Sequence, residues 1–362
     1  MKTVAIDMRM INNSGIGRYL RSIVPSLVSE CEEVQFNVLG SEDELSTYPW
    51  YTSSNVRFSP FNSPIYSIAE QFEAQRLLST KPDLYWVPHY NIPVFYSGKM
   101  LVTIHDVFHL AMRHTLKRPD QKIYSRLMFG ALKRKADSII SVSEFSKNEL
   151  IKYTNIATDK ISVVHNGLDE KWLAAKSEKI SADKPYLLFV GNVKPHKNIK
   201  RLVQAFKLIS DEINCDLMII GKKEGFITSE SNLENEIAGI ENRVKFTGFV
   251  SDSELKQFYQ NALLFVFPST YEGFGFPPVE AMACGCPVLA SNIGAVTEVC
   301  GDAAEYCDPY DVEDMAAKIL SLLQENTWRK TLIEKGLQKA GEYTQEKCVQ
   351  NTIAVIKKSL HA

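Results

Sequence analysis

No stretch of this 362-residue chain approaches the roughly 20 consecutive apolar residues that span a bilayer, so no membrane span is expected. Met1 to Arg9 carries charges where a signal peptide needs its apolar stretch. The seven cysteines, at 31, 215, 284, 286, 300, 307 and 348, are odd in number and scattered, with no Cys-x-x-Cys pair. That excludes a disulfide framework and a zinc ribbon as the reading, and a reduced, cytoplasmic protein is expected. Net charge is −2, from 41 basic and 43 acidic residues, so no global field for nucleic acid exists and none is expected as a partner. No internal repeat or low-complexity tract is present. Gly15-Ile16-Gly17 lacks a third glycine at dinucleotide spacing, and no clear acidic residue ends the second strand, which weakens a nicotinamide site. No Asp-x-Asp ends an apolar strand to hold a cation. Asp311-Val312-Glu313-Asp314 comes nearest, but it follows Asp308-Pro309 and reads as a helix start.

What is there is ordinary in amount and specific in order. Apolar residues make 45% and charged residues 23% of a chain long enough for two domains. Strands are predicted at Val4–Asp7, Val34–Leu39, Leu84–Val87, Met100–His105, Ser138–Val142 and Ile161–His165. Helical patterns lie between them, at 65–79, 119–135 and 144–153 among others. Lys176–Lys184 is polar and reads as a linker. A second series follows: Tyr186–Val190, Asp216–Ile220, Val244–Phe249, Leu263–Phe267, Val288–Ser291 and Ala304–Tyr306. Strands alternating with helices predict an α/β fold of two Rossmann-like parallel sheets. The expected domains are 1–178 and 179–344, and about 345–362 reads as a final helix.

One stretch organises the chemistry. Leu263 to Phe267 reads as a buried strand, and Gly273 and Gly275 open a loop in which backbone amides can approach a ligand. Pro277 or Pro278 suits a first helical turn and Gly285 a position just past the helix end. A helix N-terminus with free N–H groups then faces the loop, a place for an anion. Glu272 and Glu280 flank it with seven residues between them, and Tyr271, Phe274 and Phe276 lie beside them. A plain connector with two solvated glutamates would need none of these aromatics. An anion at the helix start beside carboxylates that accept hydrogen bonds from hydroxyls describes a sugar-phosphate or nucleotide ligand.

The segment from Phe267 to Gly285 resembles the E-x7-E motif of retaining glycosyltransferases of family 4, which have the GT-B fold. The similarity runs on through Cys286 to Asn292, Thr297-Glu298-Val299 and Gly301 to Ala304. Upstream, Ile104-His105-Asp106-Val107, Ser141 to Ser146, Val164 to Asp169 and Phe189 to Asn198 match further blocks. The resemblance therefore covers essentially the whole chain. It implies two domains facing a cleft, a last helix crossing back to the first domain, an acceptor site in the first domain and a nucleotide-sugar site in the second.

The resemblance also implies roles. Glu280 would accept hydrogen bonds from the ribose, and Glu272 would lie near the donor sugar. Amides of Gly273, Phe274 and Gly275 would donate to sugar hydroxyls. Lys197 would neutralise the diphosphate. Many members have Arg where this chain has Asn192, so Lys194 or His196 is left as the second cation. The loops at Gly221-Lys222-Lys223 and at Gly248 to Ser251, with Val250, would cradle the base through backbone atoms. His105 would approach the donor sugar, with Asp106 in support. Gly15, Gly17 and Arg18 match a glycine-rich loop near the diphosphate and the acceptor; a tight turn would need the glycines but not Arg18. Ser143 reads as a helix N-cap. Neither a metal nor another cofactor is expected, the nucleotide-sugar being a substrate. The flavour of Pro195-His196-Lys197-Asn198 and Tyr271 to Pro278 resembles bacterial O-antigen and capsule mannosyltransferases, so GDP-mannose is the first donor and a glycan or glycolipid the acceptor. UDP-, ADP- or dTDP-sugars on the same fold are the alternatives, and a non-catalytic sugar-nucleotide-binding regulator is the rival of another class. Finally, 113–136 holds eight basic residues against one acid, Asp120. Ile123, Leu127, Phe129 and Leu132 interleave them, which suits either a helix packed on its sheet or one resting on an anionic membrane.

Overall fold

The computed structural model describes residues 1–116, 118–173, 184–192, 194–221 and 233–361. Its contacts divide the chain into two compact units, Met1–Gly167 with Gln345–Ala362, and Leu168–Thr344. The division falls at Gly167/Leu168 rather than at 178. Leu168 is tied to the second unit by its N–H, which donates to the Tyr343 carbonyl at 2.7 Å, and Trp172 packs edge-on to Tyr259. The expected linker lies almost wholly outside the described residues.

The first unit is a parallel sheet of β1 (Lys2–Asp7), β2 (Val34–Gly40), β3 (Val56–Pro60), β4 (Leu84–Val87), β5 (Met100–Ile104), β6 (Ser138–Ser141) and β7 (Ile161–Val163). Its order is β3-β2-β1-β4-β5-β6-β7. β4 and β5 are buried along their whole length, as a parallel sheet covered on both faces demands, and this is why their sequences read as unbroken apolar runs. β3 was not predicted. It is an edge strand, Val-Arg-Phe-Ser-Pro, with no apolar run, and its proline sits at the end where no ladder bond is lost. The helix Ser14–Glu30 buries Leu20, Ile23, Val24, Leu27 and Val28 at helical spacing. Against it lies the last helix, Gln345–His361, which buries Val349, Ile353 and Ile356; burying each such side chain stabilises by ~1.5–3 kcal/mol. The Gln345 amide donates to the Ser22 carbonyl at 2.9 Å, which fixes where that helix begins.

The second unit contains β8 (Tyr186–Val190), β9 (Asp216–Ile220), β10 (Val244–Gly248), β11 (Leu264–Phe267), β12 (Val288–Ser291) and β13 (Glu305–Cys307). The order is β10-β9-β8-β11-β12-β13, all parallel. The helix Ile199–Ile209 turns Leu202, Val203, Phe206 and Ile209 onto this sheet. All seven cysteines are buried and unbridged.

Each sheet reverses its winding once, between β1 and β4 in the first unit and between β8 and β11 in the second. Loops leaving the C-terminal ends of the strands diverge there, and open α/β sheets bind ligands in that gap. Four loops line these two gaps.

Candidate active site

In the second unit the two loops are Gly191–Asn198, after β8, and Pro268–Gly275, after β11. Pro195–Lys197 forms a single 3-10 turn, and Asn198 follows in the left-handed region at φ 60°. Asn198 holds the two loops together: its amide donates to the Pro268 carbonyl at 3.0 Å and to the Pro309 carbonyl at 2.6 Å. The Thr270 N–H adds a bond to the His196 carbonyl at 2.7 Å. So braced, Lys197 Nζ meets Glu272 Oε1 at 2.6 Å, with the two side chains 17% and 14% exposed. Two residues singled out separately in the sequence thus come together across the switch point. A lysine in this place is a cation fixed by its own carboxylate and still reachable by an anion. Gly275 takes φ 111°, which only glycine adopts without strain, and it turns the chain into the helix Phe276–Ala283. Gly285, at φ 70°, ends that helix as expected.

Two expectations shift here. Glu280 does not stand at the helix mouth: it is 2% exposed in the second turn, where the Tyr259 hydroxyl donates to Oε2 at 3.1 Å. Its spacing from Glu272 was read as two flanking carboxylates, but the helix turn carries it inward, and Gly273 and Phe274 are buried as well. For His196, left as a possible second cation, burial, with Lys197 beside it, pulls the pKa down to about 4 and leaves it neutral near pH 7 without a ligand. Lys194 and Asn192 are exposed on the same loop. After β10, Phe249 is exposed and Val250 leads into a helix capped by Ser251 and Glu254. Lys222 and Lys223 lie outside the described residues.

In the first unit, Gly15, Gly17 and Arg18 lie inside the first turns of the helix Ser14–Glu30 rather than in a loop before it. A Cβ on Gly17 would stand 2.3 Å from the Ile11 carbonyl oxygen, so the turn needs glycine there; Gly15 has open space. His105 follows β5. Its Nε2 lies 2.9 Å from the Pro88 carbonyl, which can only accept, so Nε2 carries the proton and Nδ1 is the acceptor. Burial pulls this imidazole down to about 4, so it is neutral at physiological pH. Asp106 accepts the Phe108 N–H at 2.8 Å and closes a local turn. Ser143 caps its helix as expected, accepting the Ser146 N–H at 2.9 Å.

Sequence reading missed the densest polar group of this unit. Arg9 bonds Asp7 at 2.6 Å and Glu70 at 2.9 Å, with all three side chains under 9% exposed. Glu70 also accepts from Asn91 Nδ2 at 2.8 Å and from the Tyr66 N–H at 3.1 Å. Burial alone would raise the Asp7 carboxyl, yet the Arg9 guanidinium holds it below the ordinary value. Asp7, Arg9 and Asn91 sit on the loops of the β1/β4 switch point. Three distant segments supply the members, so no local motif marked them. A signal existed only in Asp7 and Arg9, charges at the end of an otherwise apolar strand.

These two doubly wound sheets, each with polar groups gathered at its switch point, define an α/β protein of two Rossmann-like units. Comparison with known proteins gives the family. The model for "Glycosyltransferase Family 4" matches residues 13–172 and that for "Glycosyl transferases group 1" matches 170–339. The chain belongs to the family 4 glycosyltransferases, and its fold is GT-B. Among curated relatives, O-antigen chain mannosyltransferase B of Escherichia coli is 29% identical, over 95% of this chain and 96% of the relative. O-antigen chain mannosyltransferase RfbU of Salmonella typhimurium is also 29% identical, over 88% and 90%. Sucrose-phosphate synthase of Thermosynechococcus elongatus superposes with a TM-score of 0.79 at 19% identity, covering 99% of both chains. WaaG, a glycosyltransferase of lipopolysaccharide biosynthesis, gives 0.75 at 15% identity, covering 98% of this chain and 99% of that one.

Proposed function

We propose that this chain transfers a mannosyl group from a nucleotide-sugar, GDP-mannose first, to a glycan acceptor of a cell-surface polysaccharide, with retention of configuration and without a metal. The likeness to two O-antigen mannosyltransferases along nearly their whole length supports the sugar. The observation that carries the chemistry is the Lys197–Glu272 pair at the β8/β11 switch point. On arrival of the donor, Lys197 turns from Glu272 to the diphosphate and stabilises the charge that builds on the leaving group, while Glu272 accepts from a sugar hydroxyl. Neither glutamate is presented as a nucleophile, Glu272 being held by Lys197 and Glu280 by Tyr259. Front-face attack fits better, with the leaving diphosphate taking the acceptor proton.

The decisive experiment is a thermal-shift panel of GDP-, UDP-, ADP- and dTDP-sugars, followed by nucleotide release with each. A ligand at about a hundred times its Kd stabilises by ~2.7 kcal/mol, so the cognate donor stands out. GDP-mannose is expected to raise the midpoint most and to be turned over. A larger shift with a UDP-sugar moves the donor. Binding without release favours the regulatory reading.

The same reading includes reversible contact with an anionic membrane through 113–136. Among the described residues no helix is long and apolar enough to cross a membrane. In the helix Pro119–Lys135 the apolar residues part company: Phe129 and Leu132 are buried, whereas Ile123 and Leu127 are 60% and 63% exposed. Arg113, Lys122, Arg126 and Arg134 surround these two exposed side chains along a shallow groove. Lys117 lies outside the described residues. Basic groups around exposed aliphatics suit lipid phosphates, at roughly 1 kcal/mol for each cation near the surface. Vesicle co-sedimentation should depend on anionic lipid, fall with salt, and weaken in Arg126→Gln/Arg134→Gln.

A further inference from the structure

The β1/β4 switch point holds a group of side chains that mannosyl transfer from the donor does not use. Tyr66 has φ 68° and is 50% exposed. A bulky residue in the left-handed region is a strained outlier, and such strain gathers at binding sites. It persists because Glu70, itself anchored by Arg9 and Asn91, accepts the Tyr66 N–H. Around its ring stand Tyr124, edge-on at 5.9 Å, Tyr90 at 6.3 Å and His89 at 6.4 Å. Tyr124 donates to Asn91, which fixes that ring as well.

His89 is the second, independent sign. It is 2% exposed, and its Nδ1 accepts the Asn91 N–H at 3.1 Å. The ring proton is therefore on Nε2, and that buried N–H has no partner. Native proteins rarely leave such a donor unpaired. The rings nearest to it are those of Tyr66 and Tyr90. A ligand hydroxyl is a chemical partner for such a donor.

We propose that Tyr66, Tyr90 and His89 form a subsite for one neutral hexopyranose of the acceptor, its C–H face on the Tyr66 ring and one hydroxyl accepting from His89 Nε2. A pyranose has the required shape, an apolar face rimmed by hydroxyls, which matches an aromatic ring beside polar tips. Burial raises the Tyr66 and Tyr90 phenols, with the Asp106 carboxylate adding to it, so both stay protonated. That same carboxylate disfavours an acidic sugar. The subsite rests on the glycosyl-transfer reading and names the acceptor chemistry for it.

The test is saturation-transfer NMR on the full chain with methyl α-mannoside, and methyl α-glucuronide as the charged control. Wild type should transfer to the mannoside and not to the glucuronide. Tyr66→Phe keeps the ring and should bind; Tyr66→Ala and Tyr66→Leu should bind about two- to tenfold more weakly, the worth of one ring contact. His89→Phe keeps the ring without the donor and should weaken mannoside binding; it also leaves the Asn91 N–H without its acceptor and should lower the thermal midpoint, so Tyr66→Leu, which leaves that bond in place, reads binding apart from stability. With an acceptor in hand, Tyr66→Ala should raise its KM and leave donor KM alone. Equal mannoside binding in wild type and Tyr66→Ala, or none in wild type, overturns the subsite. Failure of every nucleotide-sugar to be turned over sinks the transferase reading while the mannoside result stands.

Discussion

The two switch points of this protein are built on opposite principles. In the second unit, one partly buried ion pair, Lys197 and Glu272, keeps some contact with water and sits on two short loops braced by Asn198. In the first, Asp7, Arg9 and Glu70 form a buried charge group with bonds on every side. A pair that water still reaches gives up its partner to a ligand more readily, and contributes less to folding, than a fully buried one. A buried one is locked, because removing either member strands a charge in a dry interior. The difference assigns tasks: the second unit exchanges partners, and the first holds a rigid frame for aromatic side chains.

The largest expected effect tests that frame. Arg9→Met leaves the Asp7 and Glu70 carboxylates buried without a cation, and should destabilise the first unit by ~3–5 kcal/mol. Hydrogen exchange on peptides of β1 and β4 reads it directly. A loss confined to a few tenths of a kcal/mol would mean that the group is wetter than its geometry and would break the contrast.

Acid should separate the units next. His89 and His105 of the first unit and His196 of the second each have a pKa pulled by burial to about 4, below the ordinary 6.5. The unfolded chain then binds more protons between pH 4 and 6.5. Stability is therefore fully present above 6.5 and is lost as pH falls through that window. At pH 5.5 each neutral histidine lowers stability by about 1.4 kcal/mol, so two in the first unit outweigh one in the second. Asp7 acts only below this window, its folded pKa lying under the ordinary carboxylate value of 3.8. Unit-resolved hydrogen exchange from pH 7 to 5 should show the first unit loosening sooner, and His105→Gln should flatten its slope. Equal slopes would contradict the assignment of two buried neutral imidazoles.

A smaller effect separates space from dihedral angle. Gly17→Ala presses a methyl against the Ile11 carbonyl and should destabilise by ~1–3 kcal/mol. Gly15→Ala meets nothing and should be neutral or stabilising, as alanine is the better helix former. In the second unit Gly275→Ala meets only ordinary contacts but takes φ 111°, and should lose ~1–2 kcal/mol through strain alone. Denaturant midpoints of the three variants rank them.

The same contrast explains what could be read in the sequence. β4, β8, β9 and β12 lie where their apolar runs predicted, because a strand buried on both faces writes itself as a continuous run. The Lys197–Glu272 site was legible because its two loops are local, each a strand end followed by helix-starting residues. Glu280 lies in the helix as expected, but spacing along the chain does not say which way a helix turn faces, and its burial against Tyr259 was not legible. Glu70, His89 and Tyr66 were invisible for a different reason. Their meaning lies in contacts between segments, up to 61 positions apart for Arg9 and Glu70, and no one segment is unusual alone. β3 escaped because its two apolar residues, Val56 and Phe58, alternate with polar ones and make no continuous run.

The smallest expected stability change is the one that most sharpens the comparison. Lys197 and Glu272 touch at 2.6 Å, closer than Arg9 and Glu70 at 2.9 Å, so distance alone would rank the second unit's pair as the stronger. Exposure reverses that ranking. Both Lys197 and Glu272 keep water contact in the folded state, so the lost attraction is largely repaid by solvent, and Lys197→Met should shift stability by only ~0–1 kcal/mol. The methionine can still lie against the Phe267 ring, over which the Lys197 ammonium now sits at 5.5 Å. Nucleotide release from the cognate sugar should nevertheless collapse, since the cation facing the diphosphate is gone. An unchanged denaturation midpoint with lost turnover marks a site held for a ligand. A loss of several kcal/mol would instead make Lys197–Glu272 a structural pair like Arg9–Glu70, and the division of labour between the two switch points would fall.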